Sequence, residues 1–260
     1  MSATTVRHPK GPPVEKSDRT AVPFIWAFFD SSVGAKITVA LTGLGLVTFA
    51  IFHLIGNLKV FSGPDSVNAY ASFLKHDLGV LIWLARAGLL AIFVLHIALA
   101  IRLTLRSKAA RPIGYEYPGS VQATVTSRTM IWSGAVVGLF VVFHLAHFTF
   151  AWVHEAERAN GEVANYLDLK DSKECHDVYS MMVRGFTTPW LCVLYIVAQF
   201  ALFLHLLHGI QSAFQTIGLK NGRFRNLIRL LGFAVAAIIL VGNVGIVIGV
   251  WAGLYPDPPQ

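Results

Sequence analysis

Long runs of apolar residues, separated by short polar stretches, dominate the chain. Five of them run from Ile37 to Leu58, Leu78 to Ile101, Met130 to Val153, Trp190 to Ile210 with an extension to Ile217, and Leu230 to Leu254. Each is long enough to cross about 30 Å of hydrocarbon as a helix, which needs roughly 20 residues at about 1.5 Å of rise each. Strict apolar and polar alternation, the mark of a membrane β-barrel strand, is absent from these runs. The expected fold is therefore an all-α integral membrane protein, a bundle of five transmembrane helices. With polar ends included, the helices are expected at about 36–59, 78–106, 129–153, 189–217 and 228–254, within a membrane domain covering 29–254. Residues 1–28 read as a polar tail, disordered over its Pro-rich beginning and without the apolar centre of a cleavable signal peptide. Residues 255–260 form a short tail at the other end.

Charge orients this bundle. Only 13% of the 260 residues are charged, about half the fraction in a soluble domain. The net charge of +7 would suit nucleic acid only if it clustered on one exposed face. Here most of the sequence between the charges is continuous apolar chain, which argues against a nucleic-acid partner. The N-terminal side, the second loop and the fourth loop hold fourteen of the 21 Lys and Arg against four acids, a balance of +10; the other side holds seven against ten, a balance of −3. By the positive-inside rule the N-terminus and those two loops face the cytoplasm, and the third loop of about 36 residues is external. Cys175 in that loop and Cys192 near the outer end of the fourth span are compatible with a disulfide or with two free thiols. The string Glu174-Cys175-His176 lacks the earlier Cys of a Cys-x-x-Cys-His attachment site, so any haem would be held by ligation alone.

Histidine is the residue out of place. Six of ten lie inside the apolar spans: His53 in the first, His96 in the second, His144 and His147 in the third, His205 and His208 in the fourth. No Asp or Glu accompanies them there. Ionisable groups at membrane depth are costly and rare. Imidazole recurring on four successive helices points to axial ligation of b-type haem. The first and third spans run outward, and His53 lies six residues before Lys59, roughly 9 Å from the outer end, while His144 lies sixteen beyond Arg128, about 24 Å from the inner end. The second and fourth run inward, which puts His96 and His205 in the inner half. Two stacked haems follow, held by His53 with His144 outside and by His96 with His205 inside. Spacing leaves one choice open, since His144 and His147, like His205 and His208, stand three residues apart, about 60° around a helix. His76, His154 and His176 fall at span edges or in loops and read as solvated.

The strings Phe52-His53-Leu54-Ile55-Gly56-Asn57-Leu58, Arg86 with His96-Ile97, Phe143-His144-Leu145-Ala146-His147-Phe148 and His205-Leu206-Leu207-His208-Gly209-Ile210-Gln211-Ser212-Ala213-Phe214 resemble the cytochrome b subunit of succinate dehydrogenases and fumarate reductases, in its single-subunit, five-helix, dihaem form. The likeness covers about residues 29 to 253, including Ser31-Ser32-Val33-Gly34-Ala35-Lys36 and Leu41-Thr42-Gly43. It implies that the ligands are the first of each pair, His144 and His205, with His147 and His208 in hydrogen-bonding support or as alternative ligands. It implies two haems b, a membrane quinone, menaquinone by family habit, and a flavoprotein and iron–sulfur subunit pair docked on the cytoplasmic face of a bacterial cytoplasmic membrane. The activity it implies is that of the membrane anchor of a succinate:quinone oxidoreductase, respiratory complex II. The chain itself has no flavin or iron–sulfur motif.

Other residues take roles inside that frame. Arg86, near the outer end of the second span, could pair with a haem propionate or snorkel, and Arg102 and Arg106 could serve the inner haem. Gly43, Gly45, Gly88, Gly134 and Gly138 would admit a macrocycle or a neighbouring helix close to the backbone, whereas the fifth span carries Gly245 and Gly249 but no His and reads as structural. Quinone candidates are Ser31, Ser32, Gln211, Ser212 and Gln215 at the inner level, and Asn57, Lys75, His76 and Asp77 at the outer. Some fumarate-reducing relatives carry a carboxylate in a transmembrane helix; here the position two before His205 is Phe203, which favours succinate oxidation. Two rivals remain: a dihaem anchor of another respiratory dehydrogenase, such as formate dehydrogenase or nitrate reductase, and a metal or solute carrier, which would want carboxylates or a broken helix at the midplane.

Overall fold

A computed structural model describes residues 24–110, 125–157, 163–219 and 221–256. The beginning of the polar tail (1–23), the loop at 111–124 and the last four residues lie outside the described residues. In chain order the elements are α1 (Phe24–Asp30), α2 (Ser32–Asn57), α3 (Pro64–Ser72), α4 (Val80–Ala109), α5 (Val125–Arg128), α6 (Met130–His144), the two-residue strands β1 (Ala156–Glu157) and β2 (Val163–Ala164), α7 (Val178–Gly185), α8 (Pro189–Thr216) and α9 (Gly222–Trp251). Among them α2, α4, α6 with its continuation to Thr149, α8 and α9 are long and apolar enough to cross a membrane. The molecule is an all-α bundle with five membrane-spanning helices. Among the described residues the one sheet is the antiparallel β1–β2 pair, with Ala156 opposite Ala164.

Caps set the helix ends that hydropathy misplaces. Helix α2 starts at Ser32, four residues before the expected position, because the Ser31 hydroxyl accepts the Gly34 N–H at 2.9 Å. Helix α9 starts at Gly222 because the Asn221 side chain accepts from the Phe224 N–H at 3.2 Å. Its first turn carries Arg225, so an apolar window passes over it. Helix α1 was not expected: Phe24–Asp30 lies partly within the residues read as tail. Two guanidiniums of α4 hold it. Arg102 donates to Asp30 and to the Phe29 carbonyl, and Arg106 donates to the Asp30 carboxylate at 3.0 Å and to its carbonyl.

Helix α8 is the centre of the packing, touching α9, α6 and α2, while α4 leans mainly on α2. Ala236 and Ile239 of α9 are fully buried or nearly so. Leu54 of α2 presses so close to Gly242 that a Cβ there would stand 2.7 Å from its Cδ1. Asn243 donates to the Gln199 side chain at 3.1 Å, a polar tie of the kind that joins helices in lipid. Burial on the opposite flank is inverted: Leu81, Trp83, Leu84, Leu90 and Val94 of α4 are exposed. In water such a surface would aggregate; in a bilayer it is the solvated face.

One end of the bundle is capped by folded chain, and the other carries Arg102, Arg106, Lys108, Arg128, Arg225 and Arg229. The cap joins α3 to α7 through Asn68, which is 1% exposed. Its amide donates to Asp171 at 3.1 Å and Asp177 at 3.2 Å, and its carbonyl accepts the Tyr179 N–H at 2.9 Å. Asp177 in turn caps α7 by accepting from the Ser180 N–H. Both cysteines are free, and the buried Cys192 thiol donates to the Phe186 carbonyl at 2.9 Å.

Candidate functional site

Toward the basic end, α4 presents His96 and α8 presents His205. The His96 Nδ1 lies 3.1 Å from the Thr42 hydroxyl and 3.2 Å from the Val39 carbonyl. A carbonyl can only accept, so Nδ1 carries the ring hydrogen and Nε2 keeps a bare lone pair. Thr42 agrees with this tautomer, because its own hydrogen goes to the Thr38 carbonyl at 2.7 Å and its oxygen is left to accept. His205 repeats the arrangement. Its Nδ1 stands 3.4 Å from the Ser133 hydroxyl, which donates to the Met130 carbonyl at 3.1 Å. Thr42 and Ser133 are both buried.

The residue after each hydroxyl is a glycine facing the same ring. A Cβ on Gly43 would sit 3.1 Å from His96 Cε1, and one on Gly134 would sit 3.0 Å from His205 Cε1. Any side chain at either position would push the imidazole aside. By contrast Gly88 faces open space, Gly45 meets Ile92, Gly138 meets Ile97 and Gly249 meets the Tyr255 ring.

Toward the capped end, His53 of α2 and His144 at the end of α6 face each other, with ring centroids 5.8 Å apart and planes at 88°. His53 stacks on Phe49 at 5.3 Å. The Tyr195 hydroxyl lies 3.2 Å from His144 Nδ1 and 2.8 Å from His147 Nδ1. After His144 the backbone widens into a π-helical turn, Leu145–Thr149, which swings His147 away from its neighbour. His147 is wholly buried, 4.1 Å from Phe148 and 4.5 Å from His154 by ring centroids. Of the two imidazoles that spacing could not separate, His144 is the one placed against His53. On α8, His205 meets Ser133, and His208 is half-buried one turn further toward the basic end.

The remaining candidates fall elsewhere. Arg86 is exposed and stacks its guanidinium 4.9 Å from the Trp83 ring. Arg102 and Arg106 are engaged by Asp30 and α1. The Ser31 hydroxyl is consumed as a helix cap, donating to the Phe28 carbonyl while it accepts from Gly34. The Gln211 side chain packs toward Gly232 of α9, and Ser212 is half-buried on α8. The expectation that His154 is solvated is corrected. Both its ring nitrogens are buried under the cap, between His147 and Tyr166, and burial pushes its pKa down against a weaker opposing influence from the Met181 backbone. His176 is also partly covered, with Nδ1 3.3 Å from the Leu169 carbonyl.

Sequence reasoning missed Tyr195, Thr42, Ser133 and His154. A signal for three of them was present. Thr42-Gly43 and Ser133-Gly134 each precede a histidine, His53 or His144, by ten residues from the glycine; Arg86 and Tyr195 each precede His96 or His205 by ten. The α2–α4 and α6–α8 hairpins thus repeat one pattern, with the histidines 43 positions apart in the first and 61 in the second. The surplus is the chain that forms the cap.

A haem iron asks only two axial donors of the protein. Imidazoles whose Nδ1–H is held by an acceptor, whose Nε2 is free, and whose rings lie on glycine suit that demand. No protein-family model, curated protein or solved structure matches the chain.

Proposed function

We propose that the chain is the membrane-anchor cytochrome b subunit of a succinate:quinone oxidoreductase, holding two b-type haems by His53 with His144 and by His96 with His205. The observation that carries this reading is the repeated histidine seat: glycine beneath the ring, a committed acceptor on Nδ1, and a bare Nε2 at His96 and His205. When bound, the haems supply two one-electron carriers at different depths, linking the iron–sulfur subunit of a peripheral flavoprotein pair to a membrane quinone, with menaquinone the expected species.

The chain's own residues do the positioning. Thr42 and Ser133 fix the tautomer and rotation of the ligands near the basic end, and Tyr195 holds His144 by its far nitrogen. Tyr195 also separates His144 from His147, so that one imidazole is directed at His53 and the other at the cap. The basic end is assigned to the cytoplasm, where the peripheral subunits would dock beside α1 and its Arg102 and Arg106 clamp. The capped end is assigned to the outside.

The test is a reduced-minus-oxidised absorbance spectrum of the complex purified from its native membrane, with identification of the co-purifying subunits. Two b haems per chain, together with a flavoprotein and succinate:quinone activity, are expected. A spectrum without b-type bands refutes the haem assignment. Two haems with different peripheral subunits would instead assign the anchor to another dehydrogenase.

A further inference from the structure

Helix α9 carries no histidine and takes no part in the site described above. An open cleft of about 410 Å³ nevertheless lies along its first turns, lined by Asn226, Arg229, Leu230 and Phe233, a volume within the range of small-ligand sites. Residues three and four apart are neighbours on a helix surface, so these four form one stripe. Its donors, the Asn226 amide and the Arg229 guanidinium, come first, and its apolar side chains follow toward the middle of the helix. Phe233 rests edge-on against Phe203 of α8, with ring centroids 6.2 Å apart, so the apolar end of the stripe abuts a second helix.

Packing fixes the level of this stripe. Helices α8 and α9 run antiparallel, joined by the short turn between Thr216 and Gly222, and Gly232 meets Ile210 and Gln211. Arg229, three residues before Gly232, is therefore level with the last turn of α8, where that apolar span ends. At such a level a bilayer changes from hydrocarbon to headgroup. Neither the Asn226 amide nor the Arg229 guanidinium has a hydrogen-bond or ion-pair partner among the described residues. Asp30, the one carboxylate at the basic end among the described residues, is held by Arg102 and Arg106. The cleft thus offers a cation and a neutral donor but no anion. A phosphate can accept two parallel hydrogen bonds from a guanidinium, whereas the ammonium of a zwitterionic headgroup would find no carboxylate here.

We propose that the stripe from Asn226 to Phe233 is a binding site for one anionic phospholipid of the leaflet on the basic side. Arg229 takes the phosphate, Asn226 donates to an oxygen of the headgroup, and an acyl chain lies along Leu230 and Phe233. Basic pockets at the ends of spanning helices suit such headgroups. Arg225, exposed one turn nearer the water and four residues before Arg229, adds a second cation on the same side of the helix. That second cation favours a lipid of net negative charge over a zwitterionic one. The site depends on the bundle crossing a bilayer and not on the haems, and it gives α9 a ligand of its own.

The experiment offers the full-length protein, purified in detergent and delipidated, phosphatidylglycerol and phosphatidylethanolamine in mixed micelles, and counts bound lipid by native mass spectrometry. The variants are Arg229→Gln, Arg229→Lys and Lys108→Gln. One retained phosphatidylglycerol per chain is expected, with affinity lowered about five- to tenfold in Arg229→Gln, the worth of one cation at a membrane surface. Arg229→Lys should also bind more weakly, because an ammonium keeps the charge but loses the planar fork that matches phosphate; it disturbs the fold least, so its loss is not a folding defect. Lys108→Gln removes an equal charge elsewhere on the basic end and should leave the affinity unchanged. An equal loss in Lys108→Gln, or full affinity in Arg229→Lys, overturns the site, since diffuse attraction to a charged surface would give either result. Equal retention of phosphatidylethanolamine overturns it as well. So does displacement of the lipid by inorganic phosphate alone, which would mark a phosphate site, or by a water-soluble menaquinone analogue, which would mark a quinone site.

Discussion

Replacing Gly134 by Ala sets two forces of opposite sign against each other. Alanine is favoured over glycine inside a helix by about 1 kcal/mol, so α6 itself should gain stability. The added Cβ, however, would stand 3.0 Å from His205 Cε1 and 3.4 Å from its Nδ1. Carbon pairs settle at about 3.5–4.0 Å, so the ring must retreat by roughly half an ångström or more. Retreat moves it away from Ser133, whose hydroxyl already lies 3.4 Å from Nδ1. That contact is lost first. Losing the outer partner of a metal-bound imidazole costs about 10 to 100-fold in affinity, which is about 1.4–2.7 kcal/mol. The ligand site should therefore weaken while the helix strengthens.

The assay is haem per chain by pyridine haemochrome, together with thermal unfolding, on the purified complex. Gly134→Ala and Gly43→Ala should each weaken binding of the haem proposed near the basic end and leave the other proposed haem in place, without lowering the stability of the helices. Gly88→Ala and Gly245→Ala are controls, since nothing lies within 4 Å of a Cβ at either position. Full retention of both haems with an unaltered spectrum in Gly134→Ala would refute the seat. So would an equal loss in the Gly88→Ala control.

Tyr195→Phe removes the hydroxyl shared by His144 and His147 and should cost about 1–3 kcal/mol for the orphaned ring nitrogens; a redox titration should show the potential of the capped-end haem shifted and the other unchanged. Asn68→Ala removes the acceptor of the Tyr179 N–H and one donor each from Asp171 and Asp177, which keep others; this should destabilise the cap by about 1–3 kcal/mol, seen as faster hydrogen exchange in α7 with the spanning helices unaffected. Acidification should loosen the same region through His176, whose pKa is lowered chiefly by burial, with Lys75 adding to that and Leu169, Asp177 and Asp168 opposing. The unfolded cap then binds the proton more readily than the folded one, so stability is present above about pH 6.5 and falls as pH drops through the depressed folded value; exchange at pH 7.5 and pH 5.5 that is equal after correction for chemistry would contradict it.

The spans were legible because a bilayer imposes one demand, length of apolar chain, on every crossing helix. Helix ends were less so, since Ser31 and Asn221 set them by single hydrogen bonds that leave no trace in hydropathy. Helix α1 escaped notice because seven residues ending in Asp30 are too short to register; what holds them is a contact with Arg102 and Arg106 more than seventy positions away. Depth, a property of position along a helix, sorted the histidines into two levels, but it leaned slightly to His147 and His208, and the choice of His144 and His205 came from the family resemblance. Their partners depend on rotation about the helix axis and on which helices touch, and sequence distance gives neither: Thr42 meets His96 across 54 residues and Ser133 meets His205 across 72. His154 was misjudged for a related reason. It lies beyond the span, and only the fold of the cap closes over it.

The two ends of the bundle use different hydroxyls, and the difference has a chemical consequence. Thr42 and Ser133 each spend their single hydrogen on a helix carbonyl of their own turn. They can only accept, so the hydrogen bonds to His96 and His205 have one fixed direction. Tyr195 has no such carbonyl among its described hydrogen bonds and lies between two Nδ1 atoms. If it donates to His147 it accepts from His144, and if it donates to His144 it accepts from His147. The first arrangement leaves His144 with a bare Nε2 toward His53, as a ligand requires, and leaves His147 with its remaining hydrogen on Nε2, facing His154. The same polarity that would prepare His144 for iron thus turns His147 into a donor toward the cap. The fixed seats near the basic end have no freedom of this kind, because each hydroxyl there has already committed its hydrogen to a carbonyl of its own turn.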